Sequence, residues 1–234
     1  DLDQTIRLEP RNAFAFYNRG TAYHEKHDYN RAIADFDQSI KLNSKIAPAF
    51  NNRGNSYAGK REYERAIADL SEAIKLNSDY PITFNDRGIV FVLKGDLDRA
   101  IADFDQAIQI DLRYAPAFGN RGISYAAKGQ LDRAIADFDS AIKLEPRYAL
   151  TFYNRGNSYY DKRDYDRAIQ DFDRALKLYP TDTLTYNNRA NVYASKKEYD
   201  KSWADVHTAE SLGYTVQPKF LDELKKASEK MNPN

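Results

Sequence analysis

Amide side chains recur along the chain at one fixed spacing. Asparagine or aspartate stands at six positions that are 34 residues apart: Asn18, Asn52, Asp86, Asn120, Asn154 and Asn188. An amide offers a hydrogen-bond donor and an acceptor, so a row of amides can bind the backbone of an extended peptide whatever its sequence. Asparagine costs a helix about 0.6 kcal/mol relative to alanine, so its recurrence indicates a use. Two alternatives are that these amides bond only between adjacent repeats, or that duplication copied them.

Other residues at the same spacing extend this amide row. More asparagines would widen it, namely Asn51, Asn55, Asn85, Asn157, Asn187 and Asn191. Near its middle, apolar residues replace polar ones and predict a hydrophobic anchor site. These residues are Ile89, Val92, Leu93, Ile123, Ala126 and Ala127. The alternative is that some of them face neighbouring helices. Rigid aromatic contacts are expected from Tyr17, Tyr153, Tyr160 and His24. The candidate peptide-binding residues are Asn18, Asn52, Asn55, Asp86, Ile89, Asn120, Ile123, Tyr153, Asn154, Asn157, Asn188 and Asn191.

The elements that carry these residues follow from the same period. Asn-Arg-Gly or a close variant occurs six times, ending at Gly20, Gly54, Gly88, Gly122, Gly156 and Ala190. An aromatic residue lies four positions before each of these residues, and another lies three positions after it. A small residue lies twelve residues after the glycine position and an apolar residue lies sixteen after it, as Ala32 and Phe36 do in the first copy. These steps of three and four residues predict two amphipathic helices in each unit, joined by a short polar turn.

This pattern resembles the tetratricopeptide repeat (TPR), a 34-residue unit with an aromatic residue, a glycine, a tyrosine, two alanines, a phenylalanine and a late proline in this order. The resemblance implies an all-α fold, a right-handed α-solenoid superhelix of antiparallel helix pairs. The predicted repeats are 13–46, 47–80, 81–114, 115–148, 149–182 and a degenerate repeat at 183–216. In that family the first helices line a concave groove where peptides bind, and the amide row resembles the asparagine ladder of O-GlcNAc transferases.

The two ends complete the predicted organisation. Residues 1–12 match the end of a second helix, so we expect a truncated repeat whose Leu2 and Ile6 invite self-association through an open half-repeat. Residues 217–234 predict a capping helix and tail, since Phe220, Leu221 and Leu224 form an apolar stripe among charged residues.

Composition excludes several function classes. The net charge is +0, which argues against a nucleic-acid footprint. No apolar run is long enough to span a membrane and no signal peptide opens the chain, so we expect a soluble protein without membrane insertion, with the cytoplasm the favoured compartment. Cysteine is absent and only three histidines occur, with no nucleophile motif or phosphate loop. We therefore expect no enzyme activity, no metal and no cofactor.

The charged residues predict a structural pairing. Arginine precedes each glycine of the motif, and aspartate recurs fifteen residues after the glycine. In an antiparallel helix pair the two groups lie at similar heights, so an Arg–Asp pair is expected in each repeat, such as Arg121 with Asp137, rather than two solvated charges. No lysine lies six positions before the glycines, which disfavours the carboxylate clamp of chaperone-binding TPR domains.

These observations predict a protein–protein interaction scaffold. It would bind an extended peptide or partner segment in the concave groove through the asparagine ladder and the central apolar patch. The alternatives are a structural self-assembly module and the recognition region of a larger enzyme.

Overall fold

The computed structural model describes residues 2–231, and in this range it contains fourteen α-helices and no strand. The helices are α1 (Leu2–Leu8), α2 (Ala13–Glu25), α3 (Tyr29–Leu42), α4 (Ala47–Gly59), α5 (Tyr63–Leu76), α6 (Pro81–Leu93), α7 (Leu97–Ile110), α8 (Ala115–Ala127), α9 (Leu131–Leu144), α10 (Ala149–Asp161), α11 (Tyr165–Leu178), α12 (Thr183–Ser195), α13 (Tyr199–Ser211) and α14 (Pro218–Met231). The prediction of an all-α fold is confirmed.

Two units, Asp1–Ser124 and Tyr125–Asn234, emerge from the internal contacts, and each is described by itself. In the first unit α2 packs on α3, α4 on α5 and α6 on α7, while α2, α4 and α6 also contact one another in sequence. In the second unit α10 packs on α11 and α12 on α13, and α14 packs on α13. The exact repeat boundaries stay a prediction, and residue 1 and residues 232–234 of the predicted end segments lie outside the described residues.

The first and second helices of a repeat approach closely at the repeated glycine. Phe104 is fully buried, and a Cβ added to Gly88 would lie 2.6 Å from its ring atom Cε1. The sixth copy carries Ala190 in place of the glycine, and the smaller Val206 in place of the phenylalanine. Both residues are fully buried there and pack in one cluster. A methyl group on the first helix is thus matched by a smaller side chain on the second helix.

Every turn between the two helices of a repeat contains a residue in the left-handed region. The φ values are 81° at Gly95 and 72° at Gly129, where glycine adopts this conformation without strain. Four side-chain-bearing residues take the same position, with φ between 58° and 64°: His27, Arg61, Arg163 and Lys197. The turn geometry is therefore kept even where the sequence does not favour it.

An arginine fork joins helices within a repeat and across its boundary. Arg53 Nε and Nη2 each donate to the Asp69 carboxylate at 2.7 Å, while Nη1 donates to Asp37 of the preceding second helix at 2.6 Å. Burial lowers the pKa of the Arg53 guanidinium, but its hydrogen bonds to Asp69 and Asp37 outweigh this effect and raise the pKa overall. The Arg53 guanidinium therefore stays charged and links the two helices of its repeat with the preceding one.

The predicted Arg–Asp pair within a repeat is confirmed in five copies: Arg19–Asp35, Arg53–Asp69, Arg87–Asp103, Arg155–Asp171 and Arg189–Asp205. The pair Arg121 and Asp137 combines residues of the two units and stays a prediction. The contact to the preceding second helix was not predicted. It recurs as Arg19–Asp3, Arg53–Asp37, Arg121–Asp105, Arg155–Asp139 and Arg189–Asp173, with Ser71 replacing the aspartate opposite Arg87.

Candidate functional site

The amide row lies on the first helices, where adjacent repeats meet. Asn52 Nδ2 donates to the Tyr17 hydroxyl at 3.4 Å and to Thr21 Oγ1 at 3.2 Å. These acceptors lie 35 and 31 residues earlier, on the first helix of the preceding repeat. We call this surface the first-helix face; it comprises the positions three and two residues before the repeated glycine and one residue after it. At Asn52 the amide therefore links neighbouring repeats.

The same relation holds elsewhere on the first-helix face. Asn188 Nδ2 donates to the Tyr153 hydroxyl at 3.1 Å and to Asn157 Oδ1 at 2.9 Å, again 35 and 31 residues earlier. Asn120 Nδ2 donates to Asn85 Oδ1 at 2.8 Å. The alternative considered from the sequence, bonding between adjacent repeats, is thus confirmed for Asn52, Asn120 and Asn188. In these three residues the amide nitrogen is already committed within the protein.

Asp86 reverses the direction of these hydrogen bonds. Asn51 and Asn55 donate to its Oδ2 at 2.8 and 2.7 Å. Burial raises the pKa of the Asp86 carboxyl above its ordinary value, although the amide donors act in the opposite sense. Within residues 2–231 Asp86 forms no salt bridge, in contrast to the buried second-helix aspartates. Asp86 is therefore a carboxylate held by neutral donors alone.

The expected widening of the row is wrong at two positions. Asn51 is 6% exposed and Asn85 is 5% exposed, because both side chains turn into the contact between first helices. Asn191 donates to the Asn187 backbone carbonyl at 2.7 Å, which is a bond within its own helix. These amides contribute to local structure, and the sequence spacing alone could not separate them from exposed ones.

Two members of the amide row lack such partners. The Asn18 side chain is exposed, and that of Asn154 is partly exposed; neither makes a hydrogen bond to another side chain in residues 2–231. The residues 35 and 31 positions before Asn154 are Gly119 and Ile123, and neither has a polar side chain. In residues 2–231 the side-chain donor and acceptor of both amides therefore stay available.

The predicted apolar patch divides into exposed and packed residues. Ile89, Leu93 and Ile123 are 38%, 54% and 37% exposed, which is unusual for large aliphatic side chains on an ordered helix. Val92 is instead packed against the buried cluster that includes Phe104, so its assignment to the patch is wrong. Val92 follows the buried Phe91 and packs with it against Ala100 and Phe104 of the second helix.

The aromatic residues expected to flank the site are fixed by contacts inside the protein. Tyr17 and Tyr153 accept the amide hydrogen bonds described above, and the Tyr160 ring lies 5.9 Å from that of Tyr165. His24 Nδ1 lies 2.8 Å from Ser56 Oγ, and desolvation lowers the pKa of His24 below its usual value. These side chains are thus held in place before any partner arrives.

A cleft of about 400 Å³ opens in the first unit beside the amide row. Its walls include Tyr17 of α2, Pro48 and Asn51 of α4, Tyr80 of the loop before α6, and Ile82 of α6. Tyr80 and Ile82 are 47% and 37% exposed, whereas Asn51 is buried. The sequence did not single out this cleft, because Tyr80 belongs to a turn and breaks no pattern.

Models of the tetratricopeptide repeat match residues 13–46, 47–80 and 149–182, a TPR repeat model matches residues 122–162, and a further tetratricopeptide repeat model matches residues 84–114. Together these ranges cover more than half of the chain. The chain belongs to the tetratricopeptide repeat family. Among curated proteins, none matches it.

Solved TPR structures share this fold. The APC/C hetero-tetramer Cut9–Hcn1 gives a TM-score of 0.80 at 21% identity, over 97% of this chain and 45% of that chain. PilF of Pseudomonas aeruginosa gives a TM-score of 0.80 at 16% identity, over 92% of this chain and 100% of the PilF chain. YrrB, described as a TPR protein with an unusual peptide-binding site, gives a TM-score of 0.61 at 24% identity, over 79% of this chain and 95% of the YrrB chain. This chain thus spans less than half of the Cut9–Hcn1 chain.

As a TPR protein, the chain is a protein–protein interaction scaffold, and TPR proteins bind protein or peptide partners. The TPR fold is typically a non-catalytic interaction module. Across residues 2–231, none of the helices combines the length and apolar character needed to cross a membrane. Self-association through the N-terminal half-repeat and the compartment stay predictions.

Proposed function

We propose that the first-helix face of this TPR protein binds an extended peptide segment of a partner protein. The observation that carries the proposal is the unequal use of the amide row. Asn52, Asn120 and Asn188 are engaged by the preceding repeat, whereas Asn18 and Asn154 are not. An amide with free donor and acceptor can bond one peptide unit of an extended chain on both sides. The engaged amides fix the spacing of the helices that present the free ones.

The candidate residues therefore take three different parts in this proposal. Asn18 and Asn154 contact the peptide backbone. Ile89 and Ile123, exposed on the first unit, offer apolar contact to peptide side chains. The remaining members position the helices and the aromatic rings: Asn52, Asn55, Asp86, Asn120, Tyr153, Asn157, Asn188 and Asn191.

A peptide array probed with the complete chain, followed by calorimetric titration of one binding peptide, tests the proposal. Each net hydrogen bond contributes about 0.5–1.5 kcal/mol, so Asn154→Ala is expected to weaken the Kd about three- to tenfold. Asn30→Ala, at an exposed position of the second helix α3, is the matched control and is expected to leave the Kd unchanged.

Two results would reject the proposal. One is the absence of any binding peptide on the array. The other is an unchanged Kd in the double variant Asn18→Ala/Asn154→Ala. A change of Kd in the Asn30→Ala control as large as in Asn154→Ala would also count against a specific role of the first-helix face.

A further inference from the structure

Asn51 carries the one buried polar atom on the cleft wall that has no hydrogen-bond partner. Its Nδ2 donates to Asp86 Oδ2 at 2.8 Å, and its Oδ1 accepts no hydrogen bond within the described residues. An ionised carboxylate only accepts hydrogen bonds, so the amide nitrogen must face Asp86 and the oxygen must face elsewhere. Asn51 is 6% exposed, and an unsatisfied buried acceptor is costly to a folded protein. What is missing at this place is a donor.

The cleft that Asn51 lines has the chemistry of an aromatic subsite. Tyr17, Pro48, Tyr80 and Ile82 contribute rings and aliphatic groups to its lining. The polar residues Asn52, Asn77 and Thr83 also line it, and no charged side chain does. Tyr17 is held from two sides, since its ring lies 6.1 Å from that of Phe36 and its hydroxyl accepts the Asn52 amide. Tyr80 and Ile82 are accessible to a ligand, because they are 47% and 37% exposed.

The number of donors selects among possible side chains. A lysine ammonium brings three donors and a full charge, and a cleft that no carboxylate lines would leave this charge poorly compensated. Phenylalanine brings no donor. An indole brings one N–H donor on a large apolar body, and it is a donor only. A volume of about 400 Å³ accommodates this bicyclic ring.

We infer that this cleft is the subsite for a tryptophan side chain of the bound peptide. The indole packs between Tyr80, Pro48 and Ile82, and its N–H donates to Asn51 Oδ1. This inference rests on the proposed peptide-binding function and specifies the side chain that the first unit selects. The Asn51–Asp86 hydrogen bond strengthens the acceptor, because a donor bonded to a carboxylate polarises its own amide oxygen.

N-acetyltryptophanamide, titrated into the isotope-labelled complete chain and followed by NMR, tests the subsite directly. We expect saturable shifts at the Asn51 side-chain amide and at residues 80–83. N-acetylphenylalaninamide and the benzothienylalanine analogue, which keeps the bicyclic shape but lacks the N–H, are expected to bind about tenfold more weakly. Equal affinity of the tryptophan and benzothienyl probes would overturn the assignment of the donor. Shifts confined to other regions, or no saturable shift at all, would overturn the subsite.

The chain offers a matched pair of variants for the same titration. Tyr80 and Tyr148 occupy the same repeat position, are 47% and 54% exposed, and precede α6 and α10. Only Tyr80 lines the cleft. Tyr80→Ala is expected to weaken N-acetyltryptophanamide binding severalfold and Tyr148→Ala to leave it unchanged; equal effects would refute the subsite. The probe contains no extended backbone, so loss of peptide binding with retained probe binding would reject the peptide groove alone. Retained peptide binding without a tryptophan preference would reject the subsite alone.

Discussion

Replacing Gly88 with alanine tests how the helices of a repeat are brought together. Alanine gains about 1 kcal/mol of helix propensity over glycine at an interior position. The new Cβ, however, would lie 2.6 Å from Phe104 Cε1 and 2.9 Å from Cδ1 and Cζ, closer than nonbonded carbon atoms approach. Phe104 is fully buried, so its ring cannot move into solvent to relieve the contact. Overpacking of this kind costs about 1–3 kcal/mol, so after the gain in helix propensity we expect a net loss of up to about 2 kcal/mol.

Gly119 provides the control for this experiment. It lies in α8, and an added Cβ would meet no described atom within 4 Å. Gly119→Ala should therefore show only the propensity term and stabilise the protein by about 1 kcal/mol. The free energy of unfolding is measured by urea titration, followed by far-UV circular dichroism, for both variants and the parent protein.

A double-mutant cycle identifies the clash as the cause. Phe104→Val alone leaves a cavity and is expected to cost about 2–3 kcal/mol. Combined with Gly88→Ala it recreates the pairing seen at Ala190 and Val206, where both residues are buried. The added methyl group then occupies part of the cavity, so the double variant should lose at least 1 kcal/mol less than the sum of the single losses. Additivity within 0.5 kcal/mol would refute the reasoning, because distant, independent sites behave in that way.

Three further outcomes are expected. Asp86→Asn should raise the free energy of unfolding at pH 7, because burial raises the pKa of Asp86 in the folded protein. The neutral carboxyl of the native protein stabilises the fold below the unfolded pKa, and this stability is lost as the pH rises through the folded pKa. The gain from the substitution should therefore vanish toward pH 3 in a series of urea titrations, and a gain that stays constant with pH would contradict this reasoning. Arg155→Met should lower the free energy of unfolding by about 3–5 kcal/mol, because it leaves the buried Asp171 carboxylate unpaired. Asp139→Asn, at the exposed arm of the same fork, should lower it by less than about 1 kcal/mol in the same assay. Similar losses in the two variants would show that the buried arm is not the stronger one. Asn188→Ala should lower the free energy of unfolding by about 1 kcal/mol, because two hydrogen bonds are lost. Asn154→Ala should leave the free energy of unfolding unchanged, and a decrease in that variant would show that Asn154 has a partner inside the protein.

The sequence predicted the fold because its period constrains both local and tertiary structure. The steps between Phe16, Gly20 and Tyr23 place these residues on one helix face, and the spacing from Gly20 to Phe36 sets which residues meet across the pair. The Arg–Asp pairs followed from the same reasoning, since a buried aspartate needs an oppositely charged partner and the arginine lies at the same height in the helix pair.

The period could not predict which amides form hydrogen bonds with the adjacent repeat and which do not. All six positions of the amide row are equivalent in a 34-residue alignment, yet their partners lie 35 and 31 residues earlier. These offsets arise from the way one first helix packs on the next, which is a tertiary property. A signal was present nevertheless, since the residues 35 and 31 positions before Asn154, Gly119 and Ile123, have no polar side chain.

The left-handed turns illustrate the opposite limit. Gly95 and Gly129 indicate a tight turn, but nothing in His27 or Arg61 favours a positive φ. Packing of the helix pair imposes the turn on these residues, at a cost of about 1–2 kcal/mol each relative to a right-handed conformation. Local preference therefore describes only two of these six turns, and the repeat alignment is needed to recognise the rest.

The arginine forks make the array adjustable in length. Each fork reaches sixteen residues forward and sixteen residues back, so both of its acceptors keep a fixed offset within the 34-residue period. Deleting residues 47–80 would bring Arg87 to the place of Arg53, with Asp37 as its backward acceptor and Asp103 as its forward one. Loss or gain of one whole period thus rebuilds the ionic connection between neighbours without any compensating substitution. A change in length that is not a multiple of 34 residues would break this connection.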